Sequence, residues 1–301
     1  MSMSSGFVNL GRGSLYRSPK KTSGGRIHFR VASLNVRGVR GHERDLEALF
    51  WGERLDVLCL QDTRLQAAPL WNRRALSMEC VRFHSMNVAG SLAILYRPCL
   101  EVSVKRLAEE GCAAIRVRLE DEDLWMACCY ARPGRILEMQ RIREALVSTE
   151  GERGGSLLIA LGDFNAKFRG ECASTVTDAH EEELHKLCLE LGMRKLPSPG
   201  PTTQYGTAVD HCMVPHGVDA TWERIGRNSA NSDHFPMVCT LWSQAAPVRA
   251  SVGRCWKAHR FLKQRELIKE ELRKGLLKIR IPGTPSNHRK YRQFSQPVDT
   301  A

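Results

Sequence analysis

Short apolar runs recur between polar segments from about residue 28 to residue 243, and their lengths are those of β-strands. Several of them, including Leu124–Ala131 and Leu157–Gly162, are apolar at nearly every position rather than at every second one. This pattern is typical of strands that are covered on both faces, as in two packed sheets. The predicted strands are His28–Asn35, Asp56–Gln61, Ser91–Arg97, Ala113–Leu119, Leu124–Ala131, Leu157–Gly162, Val209–Val214 and Phe235–Trp242.

Helical patterns separate these runs, and they lie at His42–Trp51, Ile136–Thr149 and Asp178–Leu191. The alternation of the two kinds of element predicts a domain of the α/β or α+β class. Beyond it, residues 256–279 carry apolar positions close to helical spacing, with Lys and Arg between them. This pattern predicts a basic amphipathic helix.

The net charge of the 301-residue chain is +12, and it is distributed unevenly. Residues 1–27 hold five Lys/Arg and no acid, and residues 244–301 hold fourteen Lys/Arg and four acids, whereas residues 28–243 hold 26 Lys/Arg against 29 acids. We therefore expect a flexible basic leader at 1–27, a folded domain at 28–243 and a basic tail at 244–301. Basic arms suit a nucleic-acid backbone, although many charge runs are only solvated surface.

Composition also argues against some classes of protein. No apolar run approaches the roughly 18 to 20 residues that span a bilayer, and the N-terminus lacks the apolar stretch of a secretory signal. The sequence therefore predicts an intracellular protein without a membrane partner, nuclear if it acts on chromosomal DNA. The eleven cysteines include no CxxC pair, which favours reduced, buried thiols over disulfides or structural zinc.

Two segments place acids and amides directly beside predicted strands. Gly162–Asn165 carries Asp163 and Asn165 one residue apart at the end of a strand, so both side chains can leave the same face. Ser232–His234 comes just before another strand. Phosphodiester hydrolysis needs carboxylates for a metal ion, a group that aligns the attacking water, and donors for the phosphate oxygens. Taken alone, each segment could equally be a turn or a strand cap.

Six motifs follow one another in order along residues 28–243: Ser33–Gly38 (SLNVRG), Leu60–Arg64 (LQDTR), Tyr130–Pro133 (YARP), Gly162–Asn165 (GDFN), Thr207–His211 (TAVDH) and Ser232–His234 (SDH). This order resembles the exonuclease/endonuclease/phosphatase superfamily, and within it the apurinic-endonuclease-like enzymes of LINE-type retrotransposons. Their motifs read LNxxG, QETxL, YxP, GDFN, SxIDH and SDH. The resemblance implies a four-layer αββα sandwich of two mixed sheets flanked by helices, with the active site at one rim.

The resemblance also implies roles for individual residues. Asp163 would align and deprotonate the attacking water, helped by Asn165, and His234, held by Asp210, would face the scissile phosphate. The implied metal is Mg²⁺, with Mn²⁺ as a possible substitute. The other implied roles are metal binding by Asp62, Asn35 and Asp233, and contact with the phosphate or leaving oxygen by Tyr130, Asn35 and Asn165.

Two positions depart from the motifs of the family. Asp62 stands where the family has glutamate, and its shorter side chain withdraws the carboxylate by about one C–C bond, although a Mg–O distance of about 2.0 to 2.1 Å tolerates little error. Three outcomes are open: the backbone compensates for the shorter side chain, a water bridges the gap between carboxylate and metal, or catalysis is weakened. Arg37 stands where repair-type relatives commonly carry an acid, which puts a second metal ligand in question.

The resemblance therefore implies a Mg²⁺-dependent endonuclease that nicks DNA and leaves a 3′-hydroxyl. DNA is the expected partner, at the basic arms and the rim of the site, together with a reverse transcriptase or its RNA. Two alternatives remain open. One is a 3′-exonuclease or an RNA-directed nuclease of the same fold, and the other is a nucleic-acid-binding protein whose site Asp62 has impaired.

Overall fold

The computed structural model describes residues 27–65, 78–83, 91–105, 111–119, 123–172, 178–225 and 232–243. All of them belong to the first of the two units into which the chain divides, Met1–Cys255. The expected leader, apart from Ile27, lies outside the described residues, and so does the expected tail with its helix near 256–279. These two assignments stay predictions.

The first of two six-stranded sheets is mixed, and only its central pair of strands is parallel. With strands numbered along the chain, its order from edge to edge is β11 (Ala220–Arg224), β12 (Met237–Ser243), β1 (Ile27–Asn35), β2 (Val57–Gln61), β4 (Leu92–Tyr96) and β3 (Glu79–Phe83). Strands β1 and β2 are parallel, with Asn35 opposite Gln61, so their carboxyl ends lie at the same edge of the sheet.

The second sheet repeats this plan. Its order is β5 (Val102–Lys105), β6 (Cys112–Arg118), β7 (Asp123–Tyr130), β8 (Leu157–Asp163), β10 (Asp210–Pro215) and β9 (Met193–Lys195). Strands β7 and β8 are parallel, and β10 runs antiparallel to β8. The carboxyl ends of β7 and β8 therefore meet the beginning of β10.

Helices cover the outer face of each sheet. Helix α1 (Glu43–Gly52) packs Leu46 and Phe50 against the first sheet. The second sheet is covered by α2 (Ile136–Ser148) and α4 (Ala179–Glu190), and the short helix α3 (Glu150–Arg153) follows α2. The carboxylate of Asp178 accepts a hydrogen bond from the Glu181 backbone N–H (2.8 Å), which caps α4.

Central strands are apolar on both faces because each face meets a different core. Cys59 of β2 points between the two sheets, whereas Leu58 and Leu60 point toward α1. In the same way Met126 of β7 lies between the sheets and Trp125 lies under the helices of the second layer. Burying an apolar side chain contributes about 1.5 to 3 kcal/mol, so both faces favour this register. The predicted αββα sandwich is confirmed.

The structure confirms all eight predicted strands and all three predicted helices, with ends that differ by one or two residues. The prediction missed α3 and four strands: β3, β5, β9 and β11. All four strands lie at sheet edges, where a strand can be short and carry polar side chains toward solvent, so no continuous apolar run marks it. All the described cysteines are free thiols, and no described helix is long and apolar enough to cross a membrane.

Candidate active site

The ends of strands from both sheets meet at one rim of the sandwich. Asn35 ends β1, Tyr130 ends β7, Asp163 ends β8, and Asp210 begins β10 directly opposite Asp163. The Asn35 side chain Nδ2 donates a hydrogen bond to Asp163 Oδ2 (2.9 Å), which joins the two sheets at this point. Residues 128 positions apart in the sequence are thus brought into one pocket.

Glycine is required at the position just before Asp163. Gly162 has a φ of +153°, and a Cβ atom there would lie 1.9 Å from the carbonyl oxygen of Cys129 on the neighbouring strand. No side chain fits such a gap. The close approach of β7 and β8 therefore explains why the Gly162–Asn165 motif starts with glycine, and it fixes the place at which the Asp163 carboxylate leaves the sheet.

The carboxylate of Asp163 is buried and held from two sides. Its Oδ2 accepts the hydrogen bond from Asn35, and its Oδ1 accepts one from the backbone N–H of Asn165 (3.1 Å). Burial, and next the negative charge of Asp210, raise the pKa of Asp163 to about 7, although His234 and the two hydrogen bonds lower it. A carboxylate of this kind is a stronger base than one in water.

Asn165 is placed by its own backbone conformation. It has a φ of +48°, a left-handed conformation that asparagine tolerates better than most residues. Its side chain Nδ2 donates to the carbonyl oxygen of Ala131 (2.9 Å). Asn165 therefore supports Asp163 through its main chain, while its side chain joins the loop that follows β7.

His234 faces Asp163 and is supported by Asp210. The His234 Nδ1 lies 2.9 Å from Asp210 Oδ2, and the Nε2 lies 3.8 Å from Asp163 Oδ2. Burial lowers the pKa of His234, but the charge and hydrogen bond of Asp210, with smaller contributions from Asp163 and Asp233, outweigh it and raise this pKa to about 9. The imidazole is therefore positively charged at neutral pH, and its Nδ1–H donates to Asp210.

Asp163, Asp210 and His234 form a group of three buried side chains, and one oxygen or nitrogen atom from each lies within 4.8 Å of those of the other two. The structure thus brings together three of the predicted catalytic residues.

Tyr130 lies opposite Asp163 in the register of β7 and β8. Burial, followed by the charges of Asp163 and Asp62, raises the pKa of Tyr130 above its usual range, so its hydroxyl keeps its proton at neutral pH.

The residues assigned to the metal side have a different environment. Asp62 lies just after β2, and its Oδ2 is 3.2 Å from Nη2 of Arg64. Asp233 Oδ2 is 2.7 Å from Nη1 of Arg37, while its Oδ1 is buried without a hydrogen-bond partner among the described residues. Neither aspartate belongs to the group of three around His234. Each of these carboxylates is instead neutralised by an arginine.

The donor atoms on this side nevertheless fit a hard divalent cation. Asp62 and Asp233 offer carboxylate oxygens, and the side-chain oxygen of Asn35, which accepts a hydrogen bond from the Arg37 backbone N–H (3.1 Å), offers a third. Oxygen donors of this kind are preferred by Mg²⁺ and Mn²⁺. The unpartnered Asp233 Oδ1 is the buried atom that such an ion would satisfy.

Sequence reasoning missed several supporting residues. The Ser232 hydroxyl donates to the carbonyl oxygen of Asn35 and accepts from the His234 backbone N–H (3.0 Å), so it joins the end of β1 to the loop before β12 in the first sheet. Thr202 Oγ1 accepts from the backbone N–H of Asp210 (3.2 Å). Ser232 lies within the SDH motif, which could have indicated its role, whereas nothing in the sequence marks Thr202.

The two-sheet fold and the Asp–His group at its rim agree with the resemblance to the exonuclease/endonuclease/phosphatase superfamily. Residues 124–238 match the model of the family described as endonuclease-reverse transcriptase, Exo_endo_phos_2. This partial match and the fold support the superfamily that the motifs predicted. Among curated proteins, none matches the chain.

Solved structures of nucleases share this fold. The endonuclease domain of TRAS1, a telomere-specific non-LTR retrotransposon, has a TM-score of 0.58 and 19% identity, with 71% of this chain and 98% of that chain covered. An AP endonuclease from Archaeoglobus fulgidus has a TM-score of 0.56 and 17% identity, covering 71% and 99%. The catalytic domain of Xenopus laevis APE2 has a TM-score of 0.56 and 16% identity, covering 74% and 94%.

Proposed function

We propose that the chain is a divalent-metal-dependent endonuclease that hydrolyses a phosphodiester bond in one DNA strand and leaves a 3′-hydroxyl. One observation carries the proposal: a buried carboxylate, Asp163, and a buried imidazole, His234, face each other across 3.8 Å. Asp163 is held by hydrogen bonds from Asn35 and Asn165, and the His234 ring by one to Asp210, so both are fixed before a substrate arrives. A base and a cationic donor that converge in this way suit hydrolysis of a phosphate ester.

Asp163 takes the proton of the attacking water in this proposal. Its raised pKa, about 7, supports the role because a general base works best when its pKa lies near the working pH. The hydrogen bonds from Asn35 and Asn165 hold both carboxylate oxygens in place. Little rotation is then needed to align the water with the phosphorus atom.

His234 donates a hydrogen bond to a phosphate oxygen, and its positive charge stabilises the negative charge there. Asp210 acts behind it, because the Nδ1–H that donates to Asp210 leaves Nε2–H directed toward the substrate side. Tyr130, whose hydroxyl stays protonated, supplies a second donor at the same rim. Donors that are already oriented stabilise the negative charge that develops on the phosphate.

The metal ion would be held by Asp62, Asp233 and Asn35. When bound there, Mg²⁺ or Mn²⁺ supplies positive charge that polarises the phosphate and stabilises the leaving oxygen. Asn35 also fixes Asp163, because its side chain Nδ2 donates to Asp163 Oδ2. Asn35 thus belongs to the metal side and also contacts the base, so it fixes the position of one relative to the other.

DNA as substrate, and a retrotransposon setting, rest on several observations. The matched family is described as endonuclease-reverse transcriptase, and the TRAS1 domain comes from a non-LTR retrotransposon. The basic surplus in 1–27 and 244–301 suits a nucleic-acid backbone. We propose DNA as the partner of residues 28–243 and of both arms, a reverse transcriptase or its RNA as a further partner, and a nuclear site of action.

The proposal is tested by nicking of a supercoiled plasmid by the purified chain. We expect open circles in Mg²⁺ and none in EDTA, and the new ends should be extended by a DNA polymerase because they carry 3′-hydroxyls. Asp163→Asn should lower the rate about 10³-fold through loss of the general base. Asp123→Asn is the matched control, since Asp123 begins β7 at the opposite end from Tyr130.

Equal nicking by the wild type and by Asp163→Asn would contradict the assignment of the site. End-labelled linear duplex and single-stranded RNA, used in the same buffer, separate the proposed activity from the alternatives. Stepwise shortening from a 3′ end would identify an exonuclease, and cleavage of RNA alone would identify an RNA-directed enzyme. Binding of DNA without cleavage would identify the impaired, non-catalytic alternative.

A further inference from the structure

A cavity of about 330 Å³ lies directly beside the active site, and basic side chains dominate its lining. Arg37, Arg40 and Arg64 line it together with His42 and Thr63, and no acidic residue is among the lining residues that the structure describes. Guanidinium groups present several N–H donors in a planar array that matches the oxygens of a phosphate group. The cavity therefore has the chemistry of a phosphate-binding site.

The walls of the cavity are fixed by backbone hydrogen bonds. The N–H of Gly38 donates to the carbonyl oxygen of Asp62 (2.8 Å), and the N–H of Val39 donates to that of Thr63 (3.1 Å). The loop after β1 is thus joined to the loop after β2. Arg37, Asp62 and Arg64 all have positive φ, at 48°, 47° and 51°. Such strained conformations persist where the surrounding structure enforces them, as it does around ligand sites.

Two of the arginines that line the cavity are those that neutralise the metal-side carboxylates. Arg37 pairs with Asp233 and Arg64 pairs with Asp62. Each arginine side chain is 50% exposed, whereas the side chains of Asp233 and Asp62 are only 11% and 7% exposed. The arginine is therefore the partner that can move toward a ligand, and the carboxylate stays where it is.

We propose that this cavity binds a phosphate group next to the scissile one, and that Arg37 and Arg64 exchange their carboxylate partners for it. Phosphate binding then frees Asp62 and Asp233 to bind the divalent cation. The inference deepens the proposed function and rests on it for the identity of the cation. Because binding linkage is reciprocal, the cation must raise the affinity for phosphate by the same factor as phosphate raises the affinity for the cation.

The linkage is tested by calorimetric titration of the full chain with Mg²⁺, without and with saturating inorganic phosphate. We expect phosphate to raise the Mg²⁺ affinity at least about fivefold, the lower end of typical coupling between two sites. A short DNA duplex with phosphorothioate linkages, which resist hydrolysis, replaces phosphate in a second arm. An effect of the duplex at lower concentration identifies a backbone phosphate as the ligand, and an effect of inorganic phosphate alone identifies free phosphate.

Variants separate partner exchange from a general effect of positive charge. Arg37→Gln and Arg64→Gln should bind Mg²⁺ at least about fivefold more tightly without phosphate, and should lose most of the response to phosphate. Arg40→Gln is the matched control, since Arg40 lines the same cavity and has no ion pair with a residue that the structure describes. It should weaken phosphate binding and leave the Mg²⁺ affinity without phosphate unchanged.

The inference is overturned if phosphate and duplex leave the Mg²⁺ affinity of the wild type unchanged. It is also overturned if Arg40→Gln raises that affinity as much as the other two variants, because a diffuse charge effect then explains the result. Thermal melting of each variant confirms that it is folded. Calorimetry does not depend on cleavage, so a chain that shows the linkage but never nicks DNA contradicts only the proposed function.

Discussion

The two halves of the rim are built from similar residues but are organised differently. In one half, Asp163 and Asp210 of the second sheet meet His234, which lies in the loop before β12 of the first sheet, and all three are buried. On the side of the first sheet, Asp62 and Asp233 are held by half-exposed arginines. The residues proposed as base and as cationic donor are therefore in place without a ligand, whereas the carboxylates assigned to the metal are paired with arginine side chains.

The difference between the two halves of the rim indicates which part of the site the fold fixes and which part a ligand has to complete. The register of β7, β8 and β10 sets the positions of Tyr130, Asp163 and Asp210, so no ligand is needed to assemble them. Asp62 and Asp233 lie on loops beyond strand ends, where the partner of each carboxylate can change.

Replacing Gly162 should disrupt the half of the rim whose residues, Tyr130, Asp163 and Asp210, are positioned by the register of the strands. In Gly162→Ala the Cβ atom meets the Cys129 carbonyl oxygen, so β7 and β8 must separate, and we expect a loss of at least about 4 kcal/mol in the free energy of unfolding. Gly200→Ala is the control: Gly200 also has a positive φ, of +129°, but a Cβ there has no atom within 4 Å. It should cost only about 1 to 2 kcal/mol, and urea unfolding of both variants measures the difference.

Asp210 should act on the reaction through His234 alone. His234→Gln and Asp210→Asn should each lower the rate of plasmid nicking about 10²-fold, and the double variant should be no slower than the slower single variant. The physical reason is that Asp210 has nothing to orient once the imidazole is gone. If the two losses multiply, Asp210 has a separate role and the pairing does not explain it.

His211, which follows Asp210 in β10, should determine part of the loss of stability in acid. Burial lowers the pKa of His211 from 6.5 to about 4, although its Nε2 lies 2.8 Å from the carbonyl oxygen of Ala166. The unfolded chain takes up this proton first as the pH falls below 6.5. The stability that neutral His211 contributes is therefore complete above pH 6.5 and is lost as the pH falls toward 4.

His211→Gln keeps a donor for Ala166 and should reduce this acid loss by roughly 2 to 3 kcal/mol. Urea unfolding at pH 7 and pH 4.5 measures it. His185→Gln is the control because His185 is exposed on α4, and its acid loss should match that of the wild type. An unchanged acid loss in His211→Gln would show that His211 takes up its proton without cost in the folded protein.

Substitutions in the half of the rim assigned to the metal should alter the Mg²⁺ concentration that nicking requires rather than the assembly of the site. Asp62→Asn should raise the Mg²⁺ concentration for half-maximal nicking about tenfold, because a charged ligand is replaced by a neutral one. Asp62→Glu should change the rate at saturating Mg²⁺ by less than about threefold if the left-handed backbone of Asp62 compensates for the shorter side chain. A much larger gain would mean that aspartate impairs the native site.

Much of the fold could be predicted because the central strands are covered on both faces, which marks them as apolar runs. The edge strands β3, β5, β9 and β11 could not, since nothing requires them to be apolar. Motif order predicted which residues meet at the rim, including Asn35 and Asp163. The Arg37–Asp233 pair joins residues 196 positions apart, and local patterns carry no information on such a partner. The sequence indicated which acids to assign to the site but could not reveal the arginines that pair with Asp62 and Asp233.

Crystal structures of the protein with and without Mg²⁺ test the contrast between the two halves most directly. We predict that the His234 Nδ1 to Asp210 Oδ2 distance stays near 2.9 Å and that Asn35 keeps its bond to Asp163, while Arg37 and Arg64 leave Asp233 and Asp62 as the ion binds. A structure in which Mg²⁺ binds at another place, or in which the Asp163, Asp210 and His234 group has to rearrange while both arginine pairs persist, would contradict the account.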